Sequence, residues 1–414
     1  MGGEILAIDF GTSNSAAALV QDGRIARIPI EGGDDTLPTA VFFPQPRGPM
    51  VVGHAAARAL IEGREGRYMR ALKSVLGTAQ LHETRLIGGA RRSVADIIAA
   101  FLGVLRGRAE AVAGRPVTRA LSGRPVHFHS NDPERDARAI ADLRDCYLAA
   151  GFQAVDFLPE PEAAALASRA DLAPGQLGLV VDIGGGTSDF TVFRQAPQGI
   201  EVLASHGIRL GGTDFDHAVS MAHAMPALGY GSQLRREMGP GLLPVPNAIY
   251  ADLASWAKIP FLYTPETRRM VAGMERVALA RERIGRLRRV IEDEMGHELA
   301  FAVEAGKIAA NDGGAGASIA MGFVQPGLDV PIDSASLDGA LTGFRGDLAG
   351  AMAQTLRMAD TPAQAVAVVV LVGGSSLMRL VTDQAERLCP AARQHRAQAF
   401  TAVVDGLALA AAAM

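Results

Sequence analysis

The first apolar run, residues 5–10, ends in a small polar turn and is followed by a second at 16–20. Gln21-Asp22-Gly23-Arg24 separates it from a third run at 25–30, and apolar runs flanking Asp-Gly predict a hairpin. Residues 32–49 are rich in Gly and Pro and predict a loop with an edge strand. Helical periodicity marks 54–62 and 94–113, and 120–128 has the composition of a strand. Asn131-Asp132-Pro133 supplies a start for a helix over 134–150, which Gly151 stops. Leu158-Pro159-Glu160-Pro161 leads into an Ala-rich helix over 162–170. Pro174-Gly175 then breaks the chain before a strongly apolar strand at 177–183.

The second half opens as the first did. Strand, Asp, Gly-containing turn and Thr recur in Val181-Asp182-Ile183-Gly184-Gly185-Gly186-Thr187, with Asp182 lying 173 residues after Asp9. Strands at 189–194 and 200–204, joined by Pro197-Gln198-Gly199, repeat the hairpin. A single repeat at this distance predicts two similar α/β lobes, because solenoid periods are about 20–50 residues. The lobes are expected over 1–176, with an inserted subdomain at about 32–108, and over 177–414, with one at about 218–300. Residues 225–265 are punctuated by Gly and Pro, and 268–298 form a charged helical run. A buried strand at 363–372, a tight turn at 373–376 and a helix at 377–388 follow; a last helix at 404–413 is expected to pack back towards the first lobe. Alternating strands and helices predict an α/β fold of duplicated mixed sheets with flanking helices.

Composition narrows the classes. At 414 residues and 49% hydrophobic, the chain is long enough for real cores. Forty Lys and Arg against 44 Asp and Glu leave a formal net charge of −4, which gives no electrostatic case for nucleic acid or an anionic membrane as partner. Only Cys146 and Cys389 occur, so no disulfide framework is expected and a reducing compartment fits. Met1-Gly2-Gly3-Glu4 runs directly into a strand, without a leader pattern, and no apolar run approaches the ~20 residues that span a bilayer. A cytoplasmic protein is expected. Lysine occurs only at Lys73, Lys258 and Lys307, in a chain that otherwise uses Arg.

The central constellation is two carboxylates at strand ends, each beside a Gly/Thr turn. Asp9 precedes Gly11-Thr12-Ser13-Asn14, and Asp182 precedes Gly184-Gly185-Gly186-Thr187. Glycine lets backbone approach a polyanion, and successive N–H groups make an anion-binding nest. Carboxylates facing phosphates make sense with Mg²⁺ between them. Gly373-Gly374-Ser375, after a buried strand, lets a flat group lie against backbone and so suits a nucleoside. The chain has neither G-x-x-x-x-G-K-[ST] nor a G-x-G-x-x-G after a strand, so neither a P-loop nor a dinucleotide fold is expected.

On five segments the sequence resembles the DnaK-type heat-shock chaperones, within the actin-like ATPase superfamily. They are Ile8-Asp9-Phe10-Gly11-Thr12-Ser13-Asn14-Ser15, Glu160-Pro161-Glu162-Ala163-Ala164-Ala165-Leu166-Ala167 and Val181-Asp182-Ile183-Gly184-Gly185-Gly186-Thr187-Ser188-Asp189, then Leu210-Gly211-Gly212-Thr213-Asp214-Phe215-Asp216 and Leu371-Val372-Gly373-Gly374-Ser375. The resemblance implies the two-lobed, ribonuclease-H-like fold and slow Mg²⁺-dependent ATP hydrolysis, with ATP or ADP bound. It makes Asp9 and Asp182 the carboxylates that organise Mg²⁺. Gly11, Thr12, Ser13 and Asn14 become the first phosphate loop, and Gly184, Gly185, Gly186 and Thr187 the second. Lys73 is then the lysine that steadies the attacking water, and Glu160 the carboxylate that orients water and metal. Gly211 and Gly212 lie along the phosphates, Glu304 and Lys307 contact ribose and adenine, and Gly373, Gly374 and Ser375 complete the nucleoside pocket. Phosphoryl transfer is mostly positioning plus charge stabilisation, so this equipment suffices.

Departures accompany the match. Ile308 and Leu377 stand where the family has arginines that sandwich the adenine, Thr213 replaces an acidic residue and Ser188 an aromatic one. The chain as given stops at Met414, after Asp405-Gly406-Leu407-Ala408, and so resembles the short YegD-type relatives that lack a peptide-binding domain. A protein partner or cochaperone is compatible with this reading. The competing readings are a small-molecule kinase of the same superfamily and a nucleotide-sensing scaffold or filament former. The eight Arg between 268 and 289 are offset by Glu275, Glu282 and Glu292-Asp293-Glu294 and predict a solvated helix face. His127 and His129, alternating on the expected strand, and Met221, Met225 and Met238 are read as structural.

Overall fold

The computed structural model describes residues 5–21, 23–46, 48–197, 199–236, 238–396 and 400–414, the side chains at 170 and 171 excepted. Asp22 and Gln198, in the two expected hairpin turns, lie outside the described residues. The chain divides into two compact units, Met1–Gly212 with Arg345–Met414, and Thr213–Phe344.

The first unit contains two large sheets with the same strand order. In one, the strand Ile5–Phe10 is central: it runs antiparallel to Asn14–Gln21, which pairs with Arg24–Arg27, and parallel to Arg119–Arg124, which pairs with Ala154–Pro159. In the other, Leu177–Ile183 takes the central place. It runs antiparallel to Ser188–Ala196, which pairs with Gly199–Ile208, and parallel to Val366–Val372, which pairs with Arg393–His395. The repeat read from the sequence is therefore a repeat of topology. Both central strands are apolar almost throughout, as strands covered on two faces must be, and Leu6, Ala7, Ile8, Leu179, Val180 and Val181 are fully buried.

Two helices join the sheets. Glu160–Ala167 packs on Leu177–Ile183 and Ser188–Ala196, and also on the last helix, Ala402–Ala412. The last helix in turn covers Ile5–Phe10 and Asn14–Gln21. Their contact is backbone to backbone: a Cβ on Gly406 would collide with the carbonyl of Ala163. Small residues are what allow this approach, and Ala163, Ala164, Ala165, Val404, Leu407 and Ala408 share one core.

Several sequence expectations are corrected. Ala40–Pro44 is the middle strand of a three-stranded sheet, between Val51–Val52 and Gly66–Arg70, and not an edge. The strand expected over 120–128 ends at Arg124, so His127 and His129 lie beyond it. Residues 363–365 form a 3-10 turn, and the buried strand begins at Val366. The charged run divides into Pro265–Val277 and Arg281–Glu292, because Ala278 leaves the helix to bridge Leu234 and Leu279 N–H donates to the Gln233 carbonyl.

In the second unit those two helices lie against one another. Val271, Met274, Ile284, Leu287, Val290 and Ile291 are buried between and beneath them. Their arginines pair with Glu266, Glu275, Glu282, Glu292 and Glu294, as a solvated face requires. Met225 is buried, but Met238 is 89% exposed and does not pack. No helix among the described residues is long and apolar enough to cross a membrane.

The Gly406 contact makes a direct prediction. Gly406→Val should lower unfolding free energy by about 2–3 kcal/mol or more, since over-packing a tight contact costs that order. Urea denaturation midpoints check it, and a midpoint equal to wild type would show that the helices part without cost.

Candidate functional site

Both motif carboxylates sit at the end of a central strand. Asp9 is the penultimate residue of Ile5–Phe10 and lies opposite Ala16, whereas Asp182 lies opposite Asp189 on the neighbouring strand and beside Val372. Equivalent strand positions in a duplicated topology thus deliver two carboxylates to one region, with a third added in the second sheet only.

The turns that follow are in contact. A Cβ on Gly185 would lie 2.5 Å from Ser13 Oγ and 2.9 Å from Thr12 Cβ, so any side chain there would displace the first loop. A Cβ on Gly211 would come 2.6 Å from Gly186 N and 2.8 Å from the Gly184 carbonyl oxygen. Gly184 N–H donates to Thr187 O at 3.0 Å, and Gly212 N–H to Gly184 O at 2.9 Å. Ser188 Oγ–H, in place of an aromatic, donates to Leu210 O at 2.7 Å and ties the second loop to the third segment. Three glycine-bearing stretches from distant parts of the chain therefore pack closely against one another, the kind of arrangement from which an anion cradle is made.

Lys73 reaches this region from a 3-10 turn, Leu72–Val75. Its ammonium donates to Glu160 Oε1 at 2.6 Å, and its side chain is only 6% exposed. The Phe128 ring lies beneath it, 5.7 Å from centroid to Nζ. The turn is held in place at some cost. Ala71, immediately before it, takes a left-handed conformation at φ 59°, unusual for a residue with a Cβ. After it, Gly77 at φ 75° packs so closely that a Cβ would come 2.5 Å from the Arg135 carbonyl oxygen. Gly77 N–H donates to buried Asp142 at 2.9 Å, and Asp142 also bonds His82 at 3.0 Å. His129 Nε2 bonds the Leu76 carbonyl at 2.8 Å, which fixes the ring as donor at that nitrogen. His129 is thus structural, as expected, through a different element from the one expected.

Charge at the site is unbalanced. Burial pushes Asp9 up to about 7, Glu160 adds to this, and Lys73 opposes it. Asp182 is raised well above the ordinary carboxyl range, first by burial and then by Glu160, Asp189 and Asp9. Asp189 is pushed up to about 8 by burial and Glu160, although Val126 N–H and the Thr187 hydroxyl donate to it. One lysine facing four carboxylates leaves an excess of negative charge that a divalent cation relieves. The donors are all hard oxygens, and among the described residues no three His, Cys, Asp or Glu groups are placed to ligate one ion together. Such a set fits Mg²⁺, which takes one or two carboxylates and completes its shell with water and phosphate oxygens.

Asp9, Lys73, Glu160, Asp182, Thr187 and the residues of the three loops all belong to the first compact unit, together with Gly373, Gly374 and Ser375. Gly373 adopts φ 77°, and a Cβ there would come 3.1 Å from Asp182 Oδ1; one on Gly212 would collide with Ser375 Oγ. Glu304 and Lys307 belong to the second unit, on the helix Gly296–Asn311. There Lys307 is buried, its Nζ donating to Asp216 Oδ1 at 2.5 Å, and Trp256 Nε1–H donates to the other oxygen at 3.0 Å. Asp216 closes the Leu-Gly-Gly-Thr-Asp-Phe-Asp motif, so its signal was present in the sequence without a role attached to it. The same holds for Asp189, which ends the second carboxylate motif. Asp142 carried no sequence signal, because its part depends on a loop 65 residues away.

The pH dependence follows from Asp189. Its carboxyl holds a proton more tightly folded than unfolded, so its contribution favours the fold at acid pH. That contribution is lost as pH rises from 3.8 through about 8. Asp189→Asn should flatten the fall of the melting temperature between about pH 5 and 8, measured by calorimetry without added metal. An unchanged slope would show that this carboxyl titrates normally.

The Hsp70 protein family model matches residues 83–228, which include Glu160, Asp182, the second phosphate loop, Gly211 and Gly212. Chaperone protein DnaK of Endomicrobium trichonymphae is 35% identical over 223 residues, covering 52% of this chain and 34% of the relative. The chain thus spans about a third of the length of that relative.

Proposed function

We propose that the chain is an Hsp70-type member of the actin-like ATPase family that binds ATP with Mg²⁺ and hydrolyses it slowly, a reading supported by the Hsp70 match over residues 83–228 and the similarity to DnaK. The observation that carries the reading is the meeting of Thr12 and Ser13 with Gly185 beside Asp9, Asp182, Glu160 and Lys73. Bound Mg²⁺ would supply charge neutralisation for the phosphates. Asp9 and Asp182 are the residues that would hold it, through water; burial raises the proton affinity of both. The backbone N–H groups of 11–14 and 184–187 position the phosphates. Lys73 stabilises charge that develops on the transferred group, and Glu160 fixes the ammonium and orients water.

As a chaperone-like nucleotide-binding module, the protein would use nucleotide state to set its conformation towards a protein partner or cochaperone, with turnover slow. The residue-level roles of Glu304, Lys307, Gly373, Gly374 and Ser375 toward the nucleoside belong to the same proposal. So does the cytoplasmic location. A kinase would need an acceptor pocket, and no segment of the sequence is dedicated to a sugar.

Phosphate release from ATP with Mg²⁺ tests this. Wild type should turn over slowly, EDTA should stop it, and Lys73→Ala and Asp182→Asn should each lower kcat by about 100-fold or more. Equal rates in wild type and both variants would remove the hydrolytic reading, and transfer of phosphate to an added sugar would replace it with a kinase.

A further inference from the structure

Phe400 has no part in the chemistry above. Its side chain is 52% exposed, which by itself is unremarkable for a single surface residue. Its position is what matters. Ring atoms Cε1 and Cζ lie 3.0 and 3.3 Å from where a Cβ on Gly374 would be, so the ring rests against bare backbone in the turn Gly373-Gly374-Ser375. Gly374 is itself exposed. The neighbouring residues of that turn face the phosphate cradle: Gly373 abuts Ile183 and Asp182, and Ser375 abuts Gly212. Within three residues the chain passes from the carboxylate strand and the phosphate loops to an open ledge made of glycine backbone and one aromatic ring.

That succession matches the order of groups in a nucleoside triphosphate, charged at one end and flat and aromatic at the other. A planar heterocycle tethered to phosphates in the cradle has this ledge as adjoining surface. The ledge offers the half-exposed aromatic ring of Phe400. Leu377, at the end of the same turn, is apolar and half-buried. Stacking on an aromatic side chain is the interaction such a surface provides, and every base has a face to meet it. We infer that Phe400 is the stacking platform for the base of the bound nucleotide, and that Gly374 is free of a side chain so that base and ring can both lie against the turn. The inference rests on the phosphate-site reading and adds to it a residue that determines affinity for the nucleoside part alone.

The test is calorimetric titration of the full chain with ATP and, separately, with inorganic tripolyphosphate, both with Mg²⁺. Phe400→Ala should weaken ATP binding by about fivefold or more and leave tripolyphosphate binding unchanged. Phe400→Tyr should bind ATP as wild type does, because the ring is kept. Tripolyphosphate binding also reports that the alanine variant is folded. ATP binding by Phe400→Ala equal to wild type would overturn the inference, as would an equal loss for both ligands. Wild type binding neither ligand would overturn the phosphate-site reading and this inference with it. Tripolyphosphate binding without any effect of Phe400 on ATP would overturn the inference alone.

Discussion

A single buried ammonium among four carboxylates governs the local structure. Burying Lys73 removes its hydration, a cost of several kcal/mol that only a well-placed partner offsets. Glu160 at 2.6 Å and the ring of Phe128 are that partner set. The turn that carries Lys73 is accordingly over-determined. It has a left-handed alanine on one side, a glycine with no room for a side chain on the other, and beyond them hydrogen bonds to the Asp142 carboxylate and from the His129 ring. Glu160 needs the same precision, and the close passage of Gly406 against Ala163 holds the helix it begins. Burial first, and then the charge of Glu160, raises the proton affinity of Asp9, Asp182 and Asp189, and Lys73 only partly opposes it.

Duplication explains the layout, and departure from duplication gives the site its chemistry. The two large sheets share one strand order, so Asp9 and Asp182 occupy equivalent places. Their cross-strand neighbours differ, Ala16 in one case and Asp189 in the other. Only the second half follows its carboxylate with three successive glycines, which the first loop then touches. Gly211 and Gly212 complete the backbone surface from just beyond the strand Gly199–Ile208.

Much of this was legible from the residues. The strand Leu177–Ile183 begins and ends where its apolar run does, because both of its faces are covered. The helix over Pro133–Ala149 starts where Asp132 caps it, its side chain accepting from Arg135 N–H at 3.0 Å. Misreadings arose where a neighbour distant in sequence decided the matter. Ala278 has ordinary helical surroundings, yet it leaves the helix for Leu234. Residues 40–44 follow a Gly- and Pro-rich stretch that reads as edge, yet they find partners on both sides. Met238 reads as a packing residue and is 89% exposed.

The sequence by itself determined the repeated strand-and-turn pattern, the carboxylates at strand ends, the glycines beside them and the scarcity of lysine. These are properties of adjacent residues: side-chain periodicity, turn chemistry and the absence of a Cβ act over a few positions and need no knowledge of the fold. Only the tertiary structure decided that Lys73 meets Glu160, 87 residues away, and that Asp216 takes up Lys307, 91 residues away. It alone set Phe400 against Gly374. Such contacts depend on how strands order themselves in sheets and how closely helices cross, and the energy that selects them comes from burial of the whole core, not from the residues that meet.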